Sequence, residues 1–225
     1  MPTASTNQSM PGQTDHTSAR QPAASTLHLL WADETDTQTF AQRLACQPAL
    51  RNATLTLHGD LGAGKTTFVR HLLRALGVAG RIKSPTYAVV EPHRAPGRPG
   101  GTTNTTDTAA SASTSEIACT APLDIWHFDF YRFDDPREWE DAGFRDLFAS
   151  PGLKLVEWPD KAGDTLPTPD LSLHLHTQDD DSRQVSLSAH TPTGQQCLEG
   201  LGGLEGLARL TPTLPTQPHS ESTAP

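Results

Sequence analysis

The sequence predicts an α/β fold, with a central sheet of mixed parallel and antiparallel strands flanked by helices. Three observations predict it. A glycine-rich octapeptide, Gly59-Asp60-Leu61-Gly62-Ala63-Gly64-Lys65-Thr66, sits between a strand pattern and a helix pattern. Short apolar or alternating runs recur on both sides of it, bounded by turn-forming residues. The later runs are linked by short connections, so antiparallel strands are expected beside parallel ones.

The elements follow in order. Met1 to Thr26 contain no Leu, Ile, Val or aromatic residue, so 1–26 is expected to be a disordered tail with nothing to bury. Leu27-His28-Leu29-Leu30-Trp31 reads as a first strand. Asp33 or Thr35 then caps a helix that turns Phe40, Leu44 and Ala45 inward. Ala53-Thr54-Leu55-Thr56-Leu57-His58 is the strand before the octapeptide. Phe68, Val69, Leu72, Leu73 and Leu76 recur after it at helical spacing, and Gly77 is a helix stop.

Thr86-Tyr87-Ala88-Val89-Val90-Glu91 reads as the next strand. Composition then changes: Pro92 to Pro122 is built mainly from Thr, Ala, Ser, Gly and Pro, with Ile117 its only large aliphatic residue. A run this long inside a domain is expected to be a low-complexity insertion, 92–122, serving as a solvated tether. Leu123-Asp124-Ile125-Trp126-His127-Phe128-Asp129-Phe130-Tyr131 is an aromatic-rich strand, and Asp135-Pro136 opens a short helix. Leu153-Lys154-Leu155-Val156-Glu157-Trp158 is a further strand, stopped by Pro159. Leu171–His176 and Gln184–Ser188 alternate apolar and polar residues about an Asp179-Asp180-Asp181-Ser182 turn, the pattern of a hairpin. One domain over 27–190 results. The Gly/Pro/Thr-rich stretch 191–225 is expected to be a flexible C-terminal tail, because its glycines weaken the helix that its leucines suggest.

Composition narrows the function. The chain has 225 residues, 17 basic against 26 acidic, and a formal net charge of −9. That balance argues against unaided grip on a nucleic-acid backbone, which needs clustered Lys and Arg. Cys46, Cys119 and Cys197 form no C-x-x-C pair, so neither a zinc site nor a redox motif is expected, and reduced cysteines fit a cytoplasmic protein. No apolar run reaches the length of a membrane span, and no secretory signal opens the chain.

The octapeptide fits G-x-x-x-x-G-K-[ST], the P-loop. Its glycines let backbone N–H groups curl around phosphate oxygens, Lys65 reaches the β- and γ-phosphates, and the Thr66 hydroxyl binds Mg²⁺. The helix that starts there adds its N-terminal dipole. Hydrolysis also needs a carboxylate near the metal and a group that orients water. Asp129, between Phe128 and Phe130 on an otherwise apolar strand, suits a Walker-B-like magnesium partner. Glu157 ends an apolar strand, where open α/β sheets line their ligand crevice; it suits polarising the attacking water or holding Mg²⁺ through water. Ser84-Pro85-Thr86-Tyr87 occupies the place of a switch loop that senses γ-phosphate through a hydroxyl. His127 and Trp158 are aromatic strand residues of a kind more often core than catalytic.

Taken together, Gly59–Thr67, Ser84-Pro85-Thr86-Tyr87, His127-Phe128-Asp129-Phe130-Tyr131-Arg132 and Glu157-Trp158-Pro159 resemble the ordered signatures of the TsaE family, as do Asp135-Pro136-Arg137-Glu138 and Gly143. The likeness runs from about Leu27 to Ser188. It implies a bacterial P-loop ATPase needed to make threonylcarbamoyladenosine in tRNA, acting on the TsaB and TsaD proteins and touching tRNA only indirectly. It implies ATP and Mg²⁺ as ligands, with Lys65, Asp129 and Glu157 catalytic and Thr66, Asp129 and Glu157 at the metal. Nucleotide contacts are implied for Glu34, Gly59, Asp60, Leu61, Gly62, Ala63, Gly64, Lys65, Thr66, Thr67, Thr86, Trp158 and Arg183. The insertion and both tails depart from typical members without removing a site residue. Two other readings of a P-loop stay open at this level: a small-molecule kinase, which closes an Arg-bearing lid over a second substrate, and an assembly factor in which ATP only shifts the bound state.

Overall fold

The computed structural model describes residues 25–97, 121–135, 138 and 143–201. Among these, seven strands form one sheet in the order β1-β7-β6-β2-β5-β4-β3. They are β1 (Thr26–Trp31), β2 (Thr54–His58), β3 (Val90–Ala95), β4 (Leu123–Asp129), β5 (Leu153–Glu157), β6 (Leu171–Thr177) and β7 (Arg183–Ala189). The centre, β6-β2-β5-β4, is parallel, while β1 on β7, β7 on β6 and β3 on β4 are antiparallel. This is the mixed sheet expected from the sequence.

Helices α1 (Glu34–Ala45) and α2 (Lys65–Ala75) pack together on one face. Phe40, Leu44, Phe68 and Leu72 meet Leu55, Leu57, Leu155 and Leu173 there, all fully buried. Asp33 caps α1, its side chain accepting from the N–H groups of Thr35 and Asp36, which satisfies two of the donors a helix start leaves free. A second core, of Phe128, Phe130, Phe133, Phe144, Val156 and Ala162, covers the other face. Period-two alternation explains the division: on β4 and β5, Phe128 and Val156 point one way, while His127, Asp129, Leu155 and Glu157 point the other.

Several boundaries differ from the sequence reading. The strand expected at Thr86–Glu91 lies at Val90–Ala95. Residues 85–89 instead form a turn in which the Val89 N–H donates to the Pro85 carbonyl, with Val89 at φ 65°. Local side-chain bonding here overrides the β-propensity of Tyr87 and Val89. The expected insertion therefore begins too early at Pro92, since Pro92 to Ala95 pair with β4. Pro92 is tolerated because β3 is an edge strand. Of the rest of that insertion, residues 98–120 lie outside the described residues, as do 1–24 of the N-terminal tail; Thr26 already belongs to β1.

The C-terminal tail is also corrected. Pro192–Leu201 form a helix, called α4 below, with Cys197 and Leu201 fully buried and Leu198 nearly so. Packing calls for a glycine within it: a Cβ on Gly194 would lie 1.9 Å from the Asp170 carbonyl oxygen. Residues 202–225 lie outside the described residues. A helix absent from the sequence reading, α3 (Phe144–Ala149), covers the aromatic core. Of the short helix expected at Asp135-Pro136, only Asp135 and Glu138 are described; the Glu138 carboxylate accepts from the N–H groups of Asp134 and Asp135.

Candidate functional site

The site is built where β2 runs into α2. Gly59 adopts φ +134°, and a Cβ on it would lie 2.4 Å from the Leu175 carbonyl oxygen of β6, so only glycine lets the chain leave β2 this close to its neighbour. Gly64 then caps α2 in a left-handed conformation. The first-turn N–H groups of α2 are thereby left facing outward from the loop, the arrangement that binds anions.

Lys65 is 4% exposed. Its ammonium donates to the carbonyls of Gly59 at 2.5 Å and Asp60 at 2.8 Å and lies 3.8 Å from the centre of the Trp158 ring. Burial lowers its pKa, against the opposing pull of Glu157 and Asp129. Trp158 sits at φ 59° directly after β5, a left-handed turn that brings its ring over Lys65 and within 5.0 Å of Tyr131.

Register brings the two acidic candidates together. Asp129 pairs with Glu157 at the ends of the neighbouring parallel strands β4 and β5, on the face that carries α2. Both are 2% exposed. Glu157 accepts from the Thr66 hydroxyl at 2.8 Å through Oε2, and its Oε1 lies 2.9 Å from His127 Nε2. Asp129 accepts at Oδ2 from the Thr86 hydroxyl at 2.6 Å and from the Ser84 hydroxyl, and at Oδ1 from the Tyr131 N–H at 3.0 Å. Every carboxylate oxygen is thus hydrogen-bonded, the condition under which buried charge is tolerated.

Two adjoining hollows flank the loop. One, of about 340 Å³, is lined by Leu61, Gly62, Lys65, Thr66, Thr86, Asp129, Tyr131, Glu157 and Trp158, among others. The other, of about 310 Å³, lies between the end of β1, the start of α1 and Arg183, and includes Trp31, Glu34, Ala63 and Leu175. Gly62, Gly64 and Thr67 line both. Glu34 also bonds His71 of α2 at 2.8 Å. Arg183 reaches back to the loop, its Nε donating to the Ala63 carbonyl at 3.4 Å. Gly59 and Asp60 line neither hollow and instead shape the loop through their carbonyls.

The sequence reading thus named residues that the fold gathers at one place. It gave no role to Tyr131, which lines the larger hollow, and left His127 open between core and site. The available signal for His127 was alternation, since it shares a strand face with Asp129.

A hydroxyl and two carboxylates offer hard oxygen donors, which suit Mg²⁺ in a site that also takes donors from phosphate. Among the described residues no three His, Cys, Asp or Glu side chains form a metal cluster by themselves. No described helix is long and apolar enough to cross a membrane.

Fold and loop together define an α/β protein built around a P-loop. In a structural comparison, the crystal structure of Bacillus subtilis YdiB superposes with a TM-score of 0.58 at 23% identity, covering 80% of this chain and 97% of that one. The model of the threonylcarbamoyl adenosine biosynthesis protein TsaE matches residues 31–185, and the chain belongs to the TsaE family. Similar proteins include the tRNA threonylcarbamoyladenosine biosynthesis protein TsaE of Haemophilus influenzae, 35% identical over 142 residues, covering 63% of this chain and 73% of that one. The protein of that name from Bacillus subtilis is 30% identical over 135 residues, covering 60% and 68%.

Proposed function

We propose that this chain is a Mg²⁺-dependent ATPase subunit in the biosynthesis of threonylcarbamoyladenosine in tRNA, acting on the TsaB–TsaD complex. The observation that carries the ATPase reading is the convergence of Thr66, Glu157 and Asp129 beside the P-loop. A loop that only binds phosphate does not need two buried carboxylates in register at its mouth.

The hollow beside Trp31 and Arg183 takes the nucleoside, and the one beside Asp129 takes the terminal phosphates. Lys65 leaves the Gly59 and Asp60 carbonyls for the β- and γ-phosphate oxygens. Thr66 and Asp129 hold Mg²⁺, which when bound neutralises charge developing on the phosphates. Glu157 orients the attacking water or helps hold the metal, and no covalent intermediate forms. Trp158 keeps water from the Lys65 ammonium. Contact with tRNA is indirect, as the net charge of −9 supports. The thiols of Cys46 and Cys197 are free, which supports a cytoplasmic setting.

The test is ATP hydrolysis by the purified protein with and without TsaB and TsaD. Stimulation by the pair is expected. Nucleotide-dependent complex formation without stimulation would replace hydrolysis by an assembly role, and neither binding nor stimulation would remove the partner assignment.

A further inference from the structure

We infer that His127 is a positioning residue that fixes the Glu157 carboxylate. The inference rests on the ATPase reading for its consequence, but not for its geometry. His127 is fully buried on β4, where its register partner on β5 is Leu155; Glu157, two residues further along the same face of β5, lies diagonally across from it. The two oxygens of Glu157 have different partners: Oε1 lies 2.9 Å from His127 Nε2, and Oε2 accepts from the Thr66 hydroxyl. One partner is part of the sheet, and the other belongs to the proposed metal site.

An ionised carboxylate has no hydrogen to donate, so His127 must donate through Nε2–H. A neutral imidazole then carries a bare lone pair on Nδ1. That nitrogen is buried and has no hydrogen-bond partner among the described residues. An unpaired lone pair is tolerated more readily than an orphaned N–H, so the missing partner supports the same tautomer. His93 of β3 lies beside the ring, the two ring centres 6.3 Å apart.

This arrangement gives Glu157 a permanent and an exchangeable partner. Were the Thr66 hydroxyl to turn to a metal, Oε2 would be freed while Oε1 stayed on His127. The glutamate therefore loses its rotamer freedom during folding rather than at the moment of reaction.

The test combines spectroscopy with two substitutions. Nitrogen-15 spectra of the nucleotide-free protein should show His127 as the Nε2–H tautomer, its signal shifting in Glu157→Gln. An Nδ1–H tautomer would overturn the inference. His127→Phe keeps a planar ring and deletes the donor, and should lower kcat on the order of 10- to 100-fold while ATP affinity holds within about threefold. His127→Gln carries an N–H at a similar reach and should restore part of kcat. An unchanged kcat in His127→Phe, or a parallel collapse of kcat and affinity in both variants, would reject a positioning role. If His127→Phe does not fold, the tautomer and His127→Gln decide. If the wild-type protein shows no turnover even with its partners, the ATPase reading fails, and the spectra still decide whether His127 holds Glu157.

Discussion

The Thr66 hydroxyl donates to Oε2 of Glu157 at 2.8 Å, tying the first turn of α2 to the end of β5. Each residue therefore satisfies the other. On the proposed function, Glu157→Ala removes the water-orienting group while leaving the phosphate loop intact. Turnover should fall on the order of a hundredfold or more, with ATP affinity close to wild type. Equilibrium nucleotide binding alongside single-turnover hydrolysis separates the two effects. Retained turnover would strip Glu157 of its catalytic role.

Lys65 presents the opposite case. Its ammonium is paired with two loop carbonyls and covered by Trp158, so it is held at the loop without blocking it. Lys65→Ala deletes the cation that the β- and γ-phosphates would meet. Both ATP affinity and turnover should drop, turnover on the order of a hundredfold or more, while the thermal midpoint changes little. A variant that hydrolyses ATP at near the wild-type rate would overturn the assignment of the phosphate site.

Gly59 links loop geometry to stability. Alanine there must hold φ +134° and place its Cβ 2.4 Å from the Leu175 carbonyl oxygen. A strained backbone of this kind costs about 1–3 kcal/mol, and the clash with β6 adds to it. The thermal midpoint of Gly59→Ala should fall by several degrees, on the order of 2–4 °C per kcal/mol for a chain of this size. A melt superimposable on wild type would mean that β2 and β6 separate at the loop at little cost.

What the sequence revealed and what it hid have separate physical causes. The P-loop was legible because its chemistry is local: Gly59, Gly64, Lys65 and Thr66 carry their roles in one octapeptide. Asp129 and Glu157 were legible as acids on apolar strands, but their pairing was not, since register between β4 and β5 is a long-range property. The turn at 85–89 was misread because Tyr87 and Val89 have strand propensity, while the bonds from Ser84 and Thr86 to Asp129 that hold this segment span more than forty positions. Helix α4 was missed because the glycines from Gly200 onward weaken a helix in isolation, whereas the segment is held by burial of Cys197, Leu198 and Leu201, which only the fold supplies. His127 was hidden by its type, an aromatic residue among aromatics, until β5 supplied its partner.

The opposite face of the sheet carries a pH-dependent pair. His58, the last residue of β2 before Gly59, stacks on His174 of β6 with ring centres 4.2 Å apart. Desolvation lowers the pKa of both below the ordinary value of 6.5. Repulsion from His58 lowers His174 further, while attraction from Asp160 acts against the shift in each. The unfolded chain therefore binds protons at these positions more readily than the folded one. Their contribution to stability is complete above about pH 6.5 and is lost as pH falls through the lowered folded values. The thermal midpoint should decline as pH falls below about 6.5, the ordinary histidine value from which both groups are lowered. The double variant His58→Gln, His174→Gln should show a shallower decline over the same interval. Equal slopes in the two proteins would mean that the stacked imidazoles take up protons as readily in the fold as in the unfolded chain, and that acid sensitivity arises elsewhere.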